Sequence, residues 1–102
     1  MKWRTITELT NEEVKELMDV SIKNKGISNI KRNKRHQEIS LVLTTMCFDG
    51  KEEFPVEDEA FISEDGIHIH DFEPTAKELK LFYQKLFALG VCHWGINNPF
   101  LK

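Results

Sequence analysis

An α+β fold, in which two helices cover one face of an antiparallel sheet as a two-layer sandwich, is predicted for this 102-residue chain by three observations. Thr10 with Glu13, and Thr75 with Glu78, form capping boxes that each open a stretch with apolar residues at helical spacing. Between these stretches lie runs rich in β-branched residues, separated by the turn signals Asp49-Gly50 and Glu64-Asp65-Gly66. The expected order is helix, three to four antiparallel strands, helix, then a short docked C-terminal tail. With 40% apolar residues, among them seven Phe and two Trp, residues 1–102 can fill one hydrophobic core and are expected to form a single domain.

In the first helix Thr10 caps, Leu9 staples against Val14, and Val14, Leu17, Met18, Ser21 and Ile22 make one apolar face. Gly26 is expected to stop it in a left-handed conformation. The basic segment that follows reads as a linker. Residues 37–48 then carry apolar side chains on both alternating faces, with Ile39, Leu41 and Leu43 on one and Val42, Met46 and Phe48 on the other, as a central strand does. Asp49-Gly50 predicts a two-residue hairpin to residues 51–56, which Pro55 assigns to a sheet edge. A second hairpin joins 60–63 to 67–71, with Phe61, Ile67 and Ile69 available to the core. Pro74 and Thr75 open the second helix, whose Leu79, Phe82, Tyr83, Leu86, Phe87 and Leu89 form a broad apolar stripe that Gly90 ends. Val91, Trp94, Ile96, Phe100 and Leu101 make the tail apolar enough to pack on the body.

Charge along the chain is lopsided. Ten acidic residues and one base fall in 49–73, whereas 23–35 holds six bases (Lys23, Lys25, Lys31, Arg32, Lys34 and Arg35) and no acid. Segregated charge of this kind predicts two faces of opposite potential, which steer an anionic partner to one and repel it from the other. The net charge of −3 argues against generic binding to nucleic acid, so phosphate contacts would come from the six bases alone. A protein partner would instead use the acids Glu57, Asp58 and Glu59, or the aromatic tail through Trp94 and Phe100, which also suits a homodimer contact.

Lys2, Arg4 and Glu8 interrupt any apolar run at the start, and no stretch approaches the roughly 20 apolar residues of a membrane span, so a cytoplasmic protein without membrane contact is expected. Cys47 and Cys92 lie far apart without a paired-cysteine motif and read as two buried thiols.

Catalytic signatures are sparse. His68 and His70 project to the same side of a strand and offer two ligands to one metal, with His93, Cys92, His36 or Glu64 as a third. This is the basis of an alternative reading as a metal-dependent hydrolase or nuclease. A histidine-bearing hairpin that runs into a helix resembles the ββα-metal nucleases, yet residues 76–89 contain neither the His nor the Asn that would hold the metal from the helix. No serine sits in a nucleophile elbow, and the five glycines stand singly rather than in a phosphate loop. Over residues 10–90 the element order is similar to that of the double-stranded RNA-binding domain. That family grips phosphate with lysines at the start of its last helix, where this chain has Glu73-Pro74-Thr75-Ala76-Lys77-Glu78, so the similarity is one of order only. The reading that remains is a non-catalytic binding or regulatory module, of adaptor or inhibitor type, without a cofactor. It docks a charge-polarised surface onto a protein or a nucleic acid.

Overall fold

The computed structural model describes residues 3–23 and 25–91. It is an α+β sandwich. A 3-10 turn (Ile6–Glu8) leads into α1 (Asn11–Ser21), four strands follow as β1 (Gly26–Asn33), β2 (Glu38–Phe48), β3 (Glu53–Ser63) and β4 (Gly66–Ile69), and α2 (Ala76–Ala88) closes the order. The sheet is an antiparallel meander in the order β1-β2-β3-β4.

Both helices begin where their capping boxes predict. The Glu13 amide donates to the Thr10 hydroxyl and the Glu78 amide to that of Thr75, each at 3.1 Å, while both glutamates accept from the cap amides. Val14, Leu17, Met18 and Ile22 of the α1 segment and Phe82, Tyr83 and Leu86 of α2 are buried against Ile39, Leu41, Leu43, Ala60, Ile62 and Ile67 of the sheet. That alternation places both helices on one sheet face and leaves the other open. Phe87 is the exposed member of the α2 stripe, and its ring lies 5.2 Å from that of Trp3.

Four details depart from expectation. The basic segment is strand β1 rather than a linker: extended backbone lets Ile27 and Ile30 pack on the core while Ser28, Asn29 and Lys31 reach water. Gly26 therefore opens a strand and stops no helix; among the described residues the positive-φ glycines are Gly50, Gly66 and Gly90. The Asp49-Gly50 turn is a four-residue loop, since Phe48 pairs with Glu53 and the Asp49 carboxylate accepts from the amides of Lys51 and Glu52. Finally, residues 53–56 and 60–63 belong to one strand, β3, paired with β2 along its full length.

Continuity of β3 sets the inward and outward positions. Ala60 and Ile62 point inward, so Phe61 faces out at 38% exposure rather than entering the core. Pro55 does mark an edge. β4 pairs only with residues 60–63 of β3, so β3 has β2 as its one neighbour at Pro55. On the other side β1 pairs no further along β2 than Thr44. Residues 45–56 thus leave the four-stranded body as a two-stranded arm. Cys47 on this arm is half-buried, because the helices do not reach it. Cys92, Trp94 and Phe100 lie outside the described residues, and Val91, the last one described, is buried.

Candidate interaction surface

The open face of the sheet gathers most of the charged and aromatic side chains that the sequence singles out. Cross-strand register puts Lys31, Ser40, Phe61 and His68 in one row across all four strands. The next row is Ser28, Val42 and Glu59, followed by Gly26, Thr44 and Glu57. Phe61 is thus an aromatic centre with a lysine two strands away and Glu59 on its own strand. A shallow hollow of about 200 Å³ lies here, lined by Lys31, Ser40, Val42, Glu59, Phe61 and Asn29.

A β-bulge shapes the hollow. Ser28 pairs with Val42 and Lys31 with Ser40, so Asn29 and Ile30 together oppose Leu41, with Asn29 at φ 53. Asn is among the few residues that tolerate this left-handed backbone. The extra residue restores Lys31 to the open face and sends Arg32 inward.

The six bases therefore do not act as one surface. The Arg32 guanidinium donates to the Leu9 carbonyl through Nε at 3.2 Å and Nη2 at 2.6 Å, and to Asn11 Oδ1 at 2.8 Å, bracing the entrance of α1. Lys25 bonds the Thr45 hydroxyl on the helix side of the sheet, with its ammonium 5.6 Å from the centre of the Phe72 ring. Lys23 is exposed beyond the end of α1. Only Lys31, Lys34 and Arg35 gather, at the β1–β2 turn and its approach, where all three are exposed and none makes an ion pair with a described residue. That turn is held in shape: the His36 amide donates to Asn33, Gln37 Nε2 to the Lys34 carbonyl, and the Thr7 hydroxyl to Gln37.

The acids divide in the same way. Glu57 and Glu59 lie on the open face, whereas Asp58 is half-buried on the helix side opposite Leu43. Acidic β3 and basic β1 are separated by one strand, or roughly 10 Å at ordinary strand spacing, which is about one Debye length at physiological salt. Opposite charge thus lies on two sides of one face, not on two faces of the molecule.

The two histidines follow one another along the sheet edge. His68 belongs to the open face, opposite Phe61. His70 lies just past β4, where its amide donates to the Glu59 carbonyl and its ring stands 3.3 Å from the Asp71 carboxylate, both side chains well exposed. No group of three His, Cys, Asp or Glu side chains is placed to share a metal among the described residues. A groove of about 430 Å³ between β4 and the start of α2 includes His68, but Ile67, Ile69, Phe72, Leu79 and Tyr83 make much of its wall apolar.

The arm is a feature that sequence reading missed. Met46 and Phe48 are 57% and 68% exposed on its open-face side, next to Pro55, and Phe54 is exposed on the other side. A central strand with apolar residues on both faces was legible; that its distal half outruns its neighbours follows from the lengths of β1 and β4, which composition does not carry. No helix among the described residues is long and apolar enough to cross a membrane. Comparison with protein families, curated proteins and solved structures gives no match to this chain.

Proposed function

We propose that this chain is a non-catalytic protein-binding module that docks its partner on the open sheet face around Phe61. The observation that carries the reading is the row Lys31, Ser40, Phe61, His68, an aromatic side chain amid polar and charged neighbours on a face the helices leave uncovered. Protein interfaces concentrate affinity in such aromatic anchors, with a polar rim that sets orientation and partner choice. A basic flank at Lys31 and an acidic flank at Glu57 and Glu59 suit a partner with the reverse charge arrangement, for which complementarity mainly raises the encounter rate.

A nucleic acid suits this face less well. Only Lys31, Lys34 and Arg35 gather, and a backbone laid across the sheet from them meets Glu59 and Glu57 two strands later. Three phosphate contacts would give a salt slope of roughly −3, a weak sequence-independent grip.

The test is affinity capture from cell extract with full-length protein, with and without nuclease, comparing wild type with Phe61→Glu and with the paired reversal Lys31→Glu, Glu59→Lys. Circular dichroism checks that each variant is folded. Nuclease-resistant capture that Phe61→Glu abolishes, and that the reversal weakens, supports the reading. Capture lost to nuclease, or untouched by Phe61→Glu, overturns it.

A further inference from the structure

The outer edge of β2 in the arm, which pairs with no other strand among the described residues, is a strand-pairing site, and the geometry points to a second copy of this chain as its occupant. A sheet edge presents unpaired amides and carbonyls, and proteins ordinarily blunt such edges with charge, proline or a bulge. Three edges of this sheet are blunted: β1 by its bulge and bases, the free part of β3 by Glu53, Pro55 and Glu57, and β4 by its four-residue length. The fourth, the outer edge of β2 beyond Thr44, reads Thr45-Met46-Cys47-Phe48, without charge, proline or glycine.

The backbone groups on that edge can be identified. The Asp49 amide donates to the Glu52 carbonyl across the arm, so by antiparallel alternation Cys47 and Thr45 bond inward to β3, while Met46 and Phe48 turn their amides and carbonyls outward. The same alternation turns the Glu59 backbone toward β4, where its carbonyl accepts from the His70 amide, and puts the missing N–H of Pro55 on the outer side of β3.

Two copies related by a twofold axis through Cys47 pair Met46 of each with Phe48 of the other. All four outward residues are then hydrogen-bonded. A shift that centres the axis on Met46 would run Phe48 onto Thr44 and the loop after it onto Leu43 and Val42, all already paired with β1, whereas in the Cys47-centred register Gly50 of the loop alone reaches Thr44. A shift to Phe48 would leave Met46 facing the loop at Gly50. In the Cys47-centred register Thr45 comes opposite Asp49 of the second copy. Lys25 reaches the Thr45 hydroxyl on that same side of the sheet, so its ammonium meets the incoming carboxylate. The Asp49 carboxyl is held below the usual carboxylate range by the amides of Glu52 and Lys51, and it brings a full negative charge. The match in hydrogen bonds and the match in charge select the same register.

Cys47 supplies the readout. In this dimer the two Cys47 residues form a non-hydrogen-bonded pair, whose Cα atoms lie roughly 4.5 Å apart, within disulfide range. In full-length Cys92→Ser protein, the oxidant copper phenanthroline should remove two electrons and two protons from the pair and join the sulfurs. Sedimentation equilibrium should show a concentration-dependent dimer, and oxidation a covalent one that Cys47→Ser lacks. Met46→Pro deletes an outward amide, and Phe48→Lys puts a charge on the edge at an exposed position. Each should raise the dimer dissociation constant roughly tenfold or more and slow cross-linking in step, with the circular dichroism spectrum retained. A chain that stays monomeric at all concentrations, a dimer indifferent to both substitutions, or cross-linking no faster than in urea overturns the proposal. None of these results depends on Phe61, so this edge and the open face are tested separately.

Discussion

Replacing Arg4 by Met should cost this fold about 2–3 kcal/mol at neutral pH and flatten its acid sensitivity. The guanidinium donates to both carboxylate oxygens of Glu13 at 2.7 and 2.8 Å, and to the carbonyls of Leu89 and Glu8 at 3.0 Å each. It therefore ties the entrance of α1 to the exit of α2. The guanidinium and the amide of Thr10 hold the Glu13 carboxyl at about 2, against an ordinary value of 4.5. At 1.36 kcal/mol per pH unit that displacement bounds the gain at about 3 kcal/mol, and because the two side chains remain 32% and 26% exposed, screening leaves about 1–2 kcal/mol. The two carbonyl bonds, that to Glu8 being exposed, together add about 1 kcal/mol. The folded-state value is depressed, so the ionic part is fully present above pH 4.5 and is lost as pH falls towards 2. Thermal unfolding followed by circular dichroism should show Arg4→Met melting about 8–20 °C below wild type at pH 6.5, and that gap should narrow near pH 2. Glu13→Gln, which still accepts from the Thr10 amide, should lose the same pH-dependent part. A gap of equal size at both pH values would show that the pair contributes nothing through charge and would refute the reasoning.

Three further substitutions probe separate parts of the structure. Arg32→Met should destabilise by about 1–3 kcal/mol in urea unfolding, because the Leu9 carbonyl loses its charged donor, whereas Lys34→Met should be neutral within about 0.5 kcal/mol. Gly66→Ala should cost about 1–3 kcal/mol by the same assay: the backbone there has φ 147, and a Cβ would stand 3.1 Å from the Tyr83 hydroxyl. Leu43→Ala, which empties a fully buried position on β2, should cost about 2–5 kcal/mol, while Met46→Ala three residues along, at 57% exposure, should cost under about 1 kcal/mol.

The elements most legible in the sequence are those whose signal is local. Both capping boxes act over four residues, and the apolar faces of α1 and α2 recur within two turns, so they survive translation into structure almost unchanged. Segment 23–35 was harder, because its bases mask a strand. Ile27 and Ile30 would alternate poorly in a regular strand, and only the bulge at Asn29 brings both to the core. The single strand β3 was hidden by Pro55, which ordinarily breaks a strand and here lies where the missing amide faces no neighbour. Arg32 illustrates the limit for function: nothing in a run of bases distinguishes the one whose partner is a backbone carbonyl 23 positions away.

Edges are where those two kinds of information meet. Whether Thr45-Met46-Cys47-Phe48 is ordinary core strand or an unprotected edge depends on where β1 and the helices stop, and that is set by side chains elsewhere in the chain. Composition still marks the difference once the lengths are known. β2 is fully buried at Ile39, Leu41 and Leu43, where helices cover it, only half-buried at Thr45 and Cys47 farther along the same face, and apolar at Met46 and Phe48 on the open face. On β3, across the same arm, Glu53, Pro55 and Glu57 make the matching outer edge unfit for pairing. One edge of a two-stranded arm is blunted and its opposite is not, and that asymmetry has a physical consequence: strand addition can occur on one side only. Pairing of two arms through that side closes on itself after a single twofold operation, giving a dimer rather than a fibre.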